Sequence, residues 1–136
     1  PQETLDLCGN WFEREWITDW NVCDWLCVRL LTPVLDQAPD LALPVFRHWN
    51  KSSLLWQARA SLVPFAPSKS LSDYGDIVLA FSQTLIQREE RFCKTAVGWV
   101  LRKYSKIDAR QVTNFLDDYS EWTTREVVKN ATKYLS

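Results

Sequence analysis

The sequence predicts an all-α protein built from antiparallel helix pairs stacked as an α-solenoid. Apolar residues recur three and four apart along most of the 136 residues, the spacing of one helix face. Only three glycines are present, too few for the many tight turns of an all-β fold. No stretch alternates apolar and polar residues over the length of a strand. A compact helical bundle competes with the solenoid on pattern alone, because no clean sequence repeat is visible.

The elements follow in chain order. Trp20, Cys23, Cys27, Leu30, Leu31 and Val34 form a first apolar stripe. Asp19 is placed to cap that helix and Pro33 to bend or end it. Leu41, Val45, Phe46 and Trp49 make a second stripe. Ser53 is expected to cap a third helix running through Val63, closed by Pro64 and Pro67. Residues 64–73 hold two prolines and three serines and read as a loop. A helix from about Tyr74 to Arg88 turns Ile77, Phe81, Leu85 and Ile86 inward, and another runs from about Arg91 to Tyr104. Asp108 is expected to cap a helix ending near Tyr119. Thr123 with Glu126 three residues on has the capping-box pattern for the last helix. The total is seven or eight helices of roughly 10–16 residues.

The length fits one domain, 1–136. The composition, 46% hydrophobic and 24% charged, is that of an ordinary globular protein, but eight tryptophans are not ordinary. No apolar run approaches the ~18 residues that span a membrane. The N-terminus is acidic and lacks the apolar core of a signal peptide. The chain starts at Pro1 and contains no Met, so the expectation is a piece of a longer protein. Cys8, Cys23, Cys27 and Cys93 offer no close CxxC pair, and one histidine accompanies them. A zinc site is not expected, and the thiols read as reduced and partly buried in an intracellular protein. The net charge of −1 hides an uneven distribution. Residues 1–40 carry eight acids against Arg14 and Arg29, while residues 41–110 carry eleven Lys and Arg against five acids. A basic middle suits a polyanionic partner, although a scattered excess also suits a merely solvated face.

Three clusters are candidates for chemistry. Trp20 and Asp24 stand four apart on one helix face, where a carboxylate and an indole together suit a cation. The alternative puts Trp20 in the core and leaves Asp24 as a first-turn acid favoured by the helix dipole. In the second cluster Lys51 precedes the run Leu55-Trp56-Gln57-Ala58-Arg59-Ala60. Arg59 sits among small and apolar residues, so it must pair with a buried acid or face a groove. Asp24 is the natural partner, and a purely structural bridge is the competing reading. His48 has no evident partner and reads as structural or surface. The third cluster is Phe92 to Tyr104. Lys94, Arg102, Lys103 and Lys106 make this helix cationic, and Trp99 shares a face with 102, 103 and 106. Phosphate binding beside an aromatic is the functional reading, and a core tryptophan with a solvated basic edge is the other. Gly98 inside the helix points to close packing.

The Trp20-to-Asp24 element, the Leu55-to-Ala60 element and Ala96-Val97-Gly98-Trp99-Val100-Leu101-Arg102-Lys103 together resemble the AlkD-like DNA alkylation repair family of HEAT-like-repeat glycosylases. The likeness extends over roughly residues 15–135 and looks like the C-terminal part of longer members. It implies a HEAT-like α-solenoid with no metal or organic cofactor. It implies base excision repair: hydrolysis of the N-glycosidic bond of cationic N3- and N7-alkylated purines in double-stranded DNA. By matching positions, Asp24 and Trp20 correspond to the catalytic carboxylate and aromatic, Arg59 to the cleft arginine, and Trp99 to a further cleft aromatic. Lys51, Lys94, Arg102 and Lys103 are the expected DNA-binding cations. A concave groove gripping the backbone, rather than a base pocket, is also implied. A non-catalytic HEAT-like module that binds DNA or protein is the alternative, and a helical scaffold with no DNA contact is a third. A homodimer through an exposed repeat face is expected if flanking repeats are missing.

Overall fold

The computed structural model describes residues 1–135. Helices dominate, and no strand occurs among the described residues. In order they are α1 (Gln2–Glu13), α2 (Trp20–Leu26), α3 (Thr32–Gln37), α4 (Pro39–Asn50), α5 (Leu55–Ala60), α6 (Gly75–Ile86), α7 (Arg91–Tyr104), α8 (Ala109–Asp118) and α9 (Arg125–Ala131). None is long and apolar enough to cross a membrane.

Several boundaries follow the residues that predict them. The Asp19 side chain accepts the Val22 N–H at 2.9 Å, and that of Asp108 accepts the Gln111 N–H at 3.1 Å. Both satisfy an amide that the first helical turn leaves without a partner. Other expectations are corrected. Pro33 does not end its helix. A π-helical turn, Cys27–Leu31, joins α2 to α3, so the helix runs on through Pro33. Proline removes a donor from the α-type ladder. Here the ladder widens one turn earlier: the Thr32 N–H donates to the Cys27 carbonyl, and its hydroxyl is shared between the carbonyls of Pro64 at 2.8 Å and Cys27 at 3.1 Å. Ser53 does not cap the third helix. The Ser52 hydroxyl accepts the Leu54 N–H instead, and α5 stops at Ala60, well short of Val63. The stretch read as a loop contains the 3-10 turn Leu71–Tyr74, and another turn, Val63–Phe65, precedes it. The last cap is Thr124, one residue beyond the expected Thr123, with its hydroxyl accepting the Val127 N–H. Glu126 reaches across to Arg91 rather than back to the cap. Helix α1, built on the buried Leu5, Cys8 and Phe12, was not anticipated. The segments are also shorter than expected, 6 or 7 residues in α2, α3, α5 and α9.

The helices alternate between two series. One series, α2, α5, α7 and α9, starts at Trp20, Leu55, Arg91 and Arg125, at intervals of 35, 36 and 34 residues. Each of its members packs on the next. The other, α1, α4, α6 and α8, starts at intervals of 37, 36 and 34 residues, and α4 packs on α6. The core lies between the series: Phe12, Phe46, Phe65 and Phe81 with Leu31, Leu62, Leu85, Val97 and Leu101, all buried. Phe65 makes edge-on contacts with Phe46 and Phe81, ring centroids 5.9 Å apart in each case. Edge-to-face geometry adds to the area buried by such rings.

Candidate functional site

Helices α2, α5 and α7 bring three of the four principal site residues into one cluster. Asp24 lies in α2 with its side chain 16% exposed, and Arg59 in α5 with 6%. The Arg59 Nε donates to Asp24 Oδ1 at 2.8 Å and Nη2 to Oδ2 at 3.0 Å. This is the forked pairing that guanidinium and carboxylate planes favour. The third nitrogen, Nη1, donates to the Phe92 carbonyl at 2.7 Å and to the Thr95 hydroxyl at 2.9 Å. Four of the five guanidinium N–H groups are thus bonded within the protein. Arg59 is held by α7 and in turn fixes both carboxylate oxygens of Asp24. Asp24–Arg59 and Arg59–Thr95 are separated by 35 and 36 residues, the intervals between the starts of α2 and α5 and of α5 and α7. Corresponding positions of successive helices therefore meet side to side.

Aromatic rings surround this chain of bonds. The Arg59 guanidinium lies 6.0 Å from the Trp99 ring and 5.7 Å from the Phe92 ring, within cation–π range. Trp20 is one turn before Asp24 on α2 and is 52% exposed. A large ring left in water beside a half-buried carboxylate is available to a ligand, and its backbone is held by the Asp19 cap.

The expected cations divide by environment. The Lys94 Nζ donates to the carbonyls of Ile86 and Trp122, tying the end of α6 to the segment before α9. Desolvation pulls its pKa below the usual lysine value. Two of its three N–H groups serve the fold, which leaves one for a ligand. Arg102 is half-buried, and its Nε is buried without an acceptor. Lys103 is half-buried on α7, and Lys51 is exposed just past the end of α4. Phe92 and Thr95 fall in the Phe92-to-Tyr104 cluster, but the sequence gives neither of them a role toward Arg59. A carbonyl has no residue signature. The visible signal for Thr95 is its position 36 residues after Arg59.

The four cysteines are free and buried. Burial pushes Cys8 up to about 11 and Cys93 up to about 12, so these two thiols stay protonated and are poor nucleophiles.

A family model described as DNA alkylation repair enzyme matches residues 1–135. The chain belongs to the DNA alkylation repair enzyme family. Comparison with curated proteins and with solved structures returned no match. In this DNA alkylation repair family member, the matched span contains the whole Asp24–Arg59–Thr95 chain of bonds and both flanking tryptophans.

Proposed function

We propose that this chain carries the cleft of a DNA glycosylase that hydrolyses the N-glycosidic bond of cationic N3- and N7-alkylated purines in duplex DNA. The observation that carries the reading is the forked Arg59–Asp24 pair, with Trp20 exposed one turn before Asp24 and the Trp99 ring 6.0 Å from the guanidinium. An alkylated purine already bears positive charge. When the C1′–N bond breaks, the base takes the bonding electrons and leaves neutral, so no general acid is required. What needs help is the oxocarbenium-like sugar and the incoming water. Asp24 offers negative charge to the first and a proton acceptor to the second. The faces of Trp20 and Trp99 offer electron-rich surface to the same cationic sugar. Arg59 acts through Asp24, because four of its five N–H donors are already committed, and is a positioning residue.

The same proposal includes a HEAT-like α-solenoid, supported by the recurring 34–37-residue helix interval and by the side-to-side bonds between corresponding positions. Intracellular placement is part of it and rests on the DNA substrate, with four free thiols in keeping. So is self-association through the exposed Trp16, Val22 and Trp25, which a single monomeric mass in light scattering would remove.

Asp24→Asn keeps the side-chain shape and loses the charge. Release of 7-methylguanine from methylated duplex should slow by at least about 100-fold, while affinity for undamaged duplex changes less than twofold. An unchanged release rate would assign the Arg59–Asp24 pair to structure alone and leave a non-catalytic DNA-binding module.

A further inference from the structure

We propose that the groove between α7 and α9 is a phosphate-binding site, and that it takes consecutive phosphates of a DNA strand. The inference rests on the glycosylase reading for the source of the phosphates, but not for the site itself. The groove encloses about 840 Å³. Thr95 and Arg102 line it from α7, and Arg125, Lys129 and Lys133 from α9 and the turn after it. Four cations thus face one space. None of the four forms an ion pair among the described residues. The one acid in the lining, Glu126, gives both its oxygens to Arg91, at 3.0 and 2.7 Å, and that bond holds its carboxyl below the ordinary value. The acid is therefore neutralised from outside the groove, and nothing within it balances the four positive charges.

Arg102 adds an independent observation. Its guanidinium lies over the Tyr134 ring at 5.7 Å, and its Nε is buried with no acceptor. Buried donors without partners are rare because the lost hydration is not regained. The Nε is enclosed by protein, so it is the two Nη groups, which donate to nothing among the described residues, that remain for an anion in the groove. A surface that gathers cations at the expense of self-repulsion, with no internal counter-charge, fits a ligand carrying repeated negative charge. The groove floor is also close to the proposed cleft. Thr95 both lines the groove and accepts from Arg59. A strand laid along α7 would pass from the four cations to the Arg59–Asp24 pair without leaving the surface. The groove thus gives the cleft a hold on the backbone to one side of the scissile nucleotide, with no contact to any base.

The test is the triple variant Arg125→Gln, Lys129→Gln, Lys133→Gln, which alters exposed side chains and leaves Arg102 in place. Undamaged duplex affinity is measured across a range of salt, and inorganic pyrophosphate is titrated separately by NMR chemical shift. A control variant, Lys69→Gln with Arg110→Gln, removes two exposed cations outside the groove. Each lost phosphate contact lowers the slope of log affinity against log salt by about 0.9. The triple variant should lose roughly two to three units of slope and the control less than one. Pyrophosphate should shift the amides of α9 in the parent protein and not in the triple variant. A parent protein that binds duplex with a slope untouched by the triple change would overturn the groove proposal and leave the glycosylase reading standing. Pyrophosphate binding at α9 without any duplex binding would keep the groove and remove DNA as its ligand. Binding of neither would overturn both.

Discussion

Arg59 is a buried cation whose hydrogen bonds all run inside the protein, to Asp24, Thr95 and the Phe92 carbonyl. Breaking a buried pair leaves an uncompensated charge, which is why removal of one partner is strongly destabilising. Lysine keeps the charge but places three donors on one nitrogen, so it cannot span the carboxylate and both α7 acceptors at once. Arg59→Lys should therefore lose about 2–3 kcal/mol. Calorimetry should show a melting temperature lower by several degrees. Adding Asp24→Asn to this variant should cost less than it does alone, because the two positions share one set of bonds. Additive losses would mean that the pair is not a coupled unit. The sequence made this pair legible because an arginine among small and apolar neighbours requires an acid, and Asp24 was the aromatic-flanked candidate. It could not disclose that α7 fixes the arginine, since a carbonyl such as that of Phe92 is the same in every residue.

At the level of helices, close approach separates two glycines that look alike in sequence. Gly75 opens α6, and a Cβ there would come within 3.0 Å of the Tyr104 Cζ, nearer still to its hydroxyl. Tyr104 ends α7 and is buried, so its ring has little freedom to withdraw. Gly98 lies mid-α7, where a Cβ would meet the Val127 backbone of α9 at 3.4 Å, an ordinary contact. Gly75→Ala should cost about 1–3 kcal/mol through overpacking. Gly98→Ala should be neutral or gain up to about 1 kcal/mol from helix propensity. Denaturant unfolding of the two variants decides this, and a larger loss at Gly98 would contradict the packing described. Sequence reasoning singled out Gly98 because a glycine inside a helical pattern stands out. Gly75, at a helix start where glycine is unremarkable, gave no signal. The same limit explains the displaced caps. Thr123 and Thr124 are neighbouring hydroxyls of equal capping chemistry, and tertiary packing chooses between them, while at α5 no side chain caps the helix at all.

For the whole molecule, charge is arranged along the order of the helices. The acids dominate residues 1–40 and the cations residues 41–110, while the α7–α9 groove gathers four cations, Arg102 included, that form no ion pair among the described residues, at the far end of the series α2, α5, α7, α9. The periodic apolar pattern made the all-helical class legible. The 34–37-residue interval stayed hidden because corresponding positions, such as Asp24, Arg59 and Thr95, share a place and not a residue type. That arrangement resolves the apparent conflict between an acidic N-terminal region and a polyanionic ligand. Three interhelical spacings of roughly 8–10 Å separate α2 from α9, a distance on the order of 25 Å. The Debye length is about 8 Å at 0.15 M salt and about 30 Å at 0.01 M. Glu3, Asp6 and Glu13, exposed on α1 beside this acidic end, should therefore be invisible to a ligand in the groove at physiological salt and felt only when screening is weak. Replacing all three by Gln or Asn should change the affinity of the groove for pyrophosphate less than about twofold at 0.15 M and strengthen it severalfold at 0.01 M. A strong gain at the higher salt would place the bound anion within a Debye length of α1, and with it the cations of α9 would lose their role.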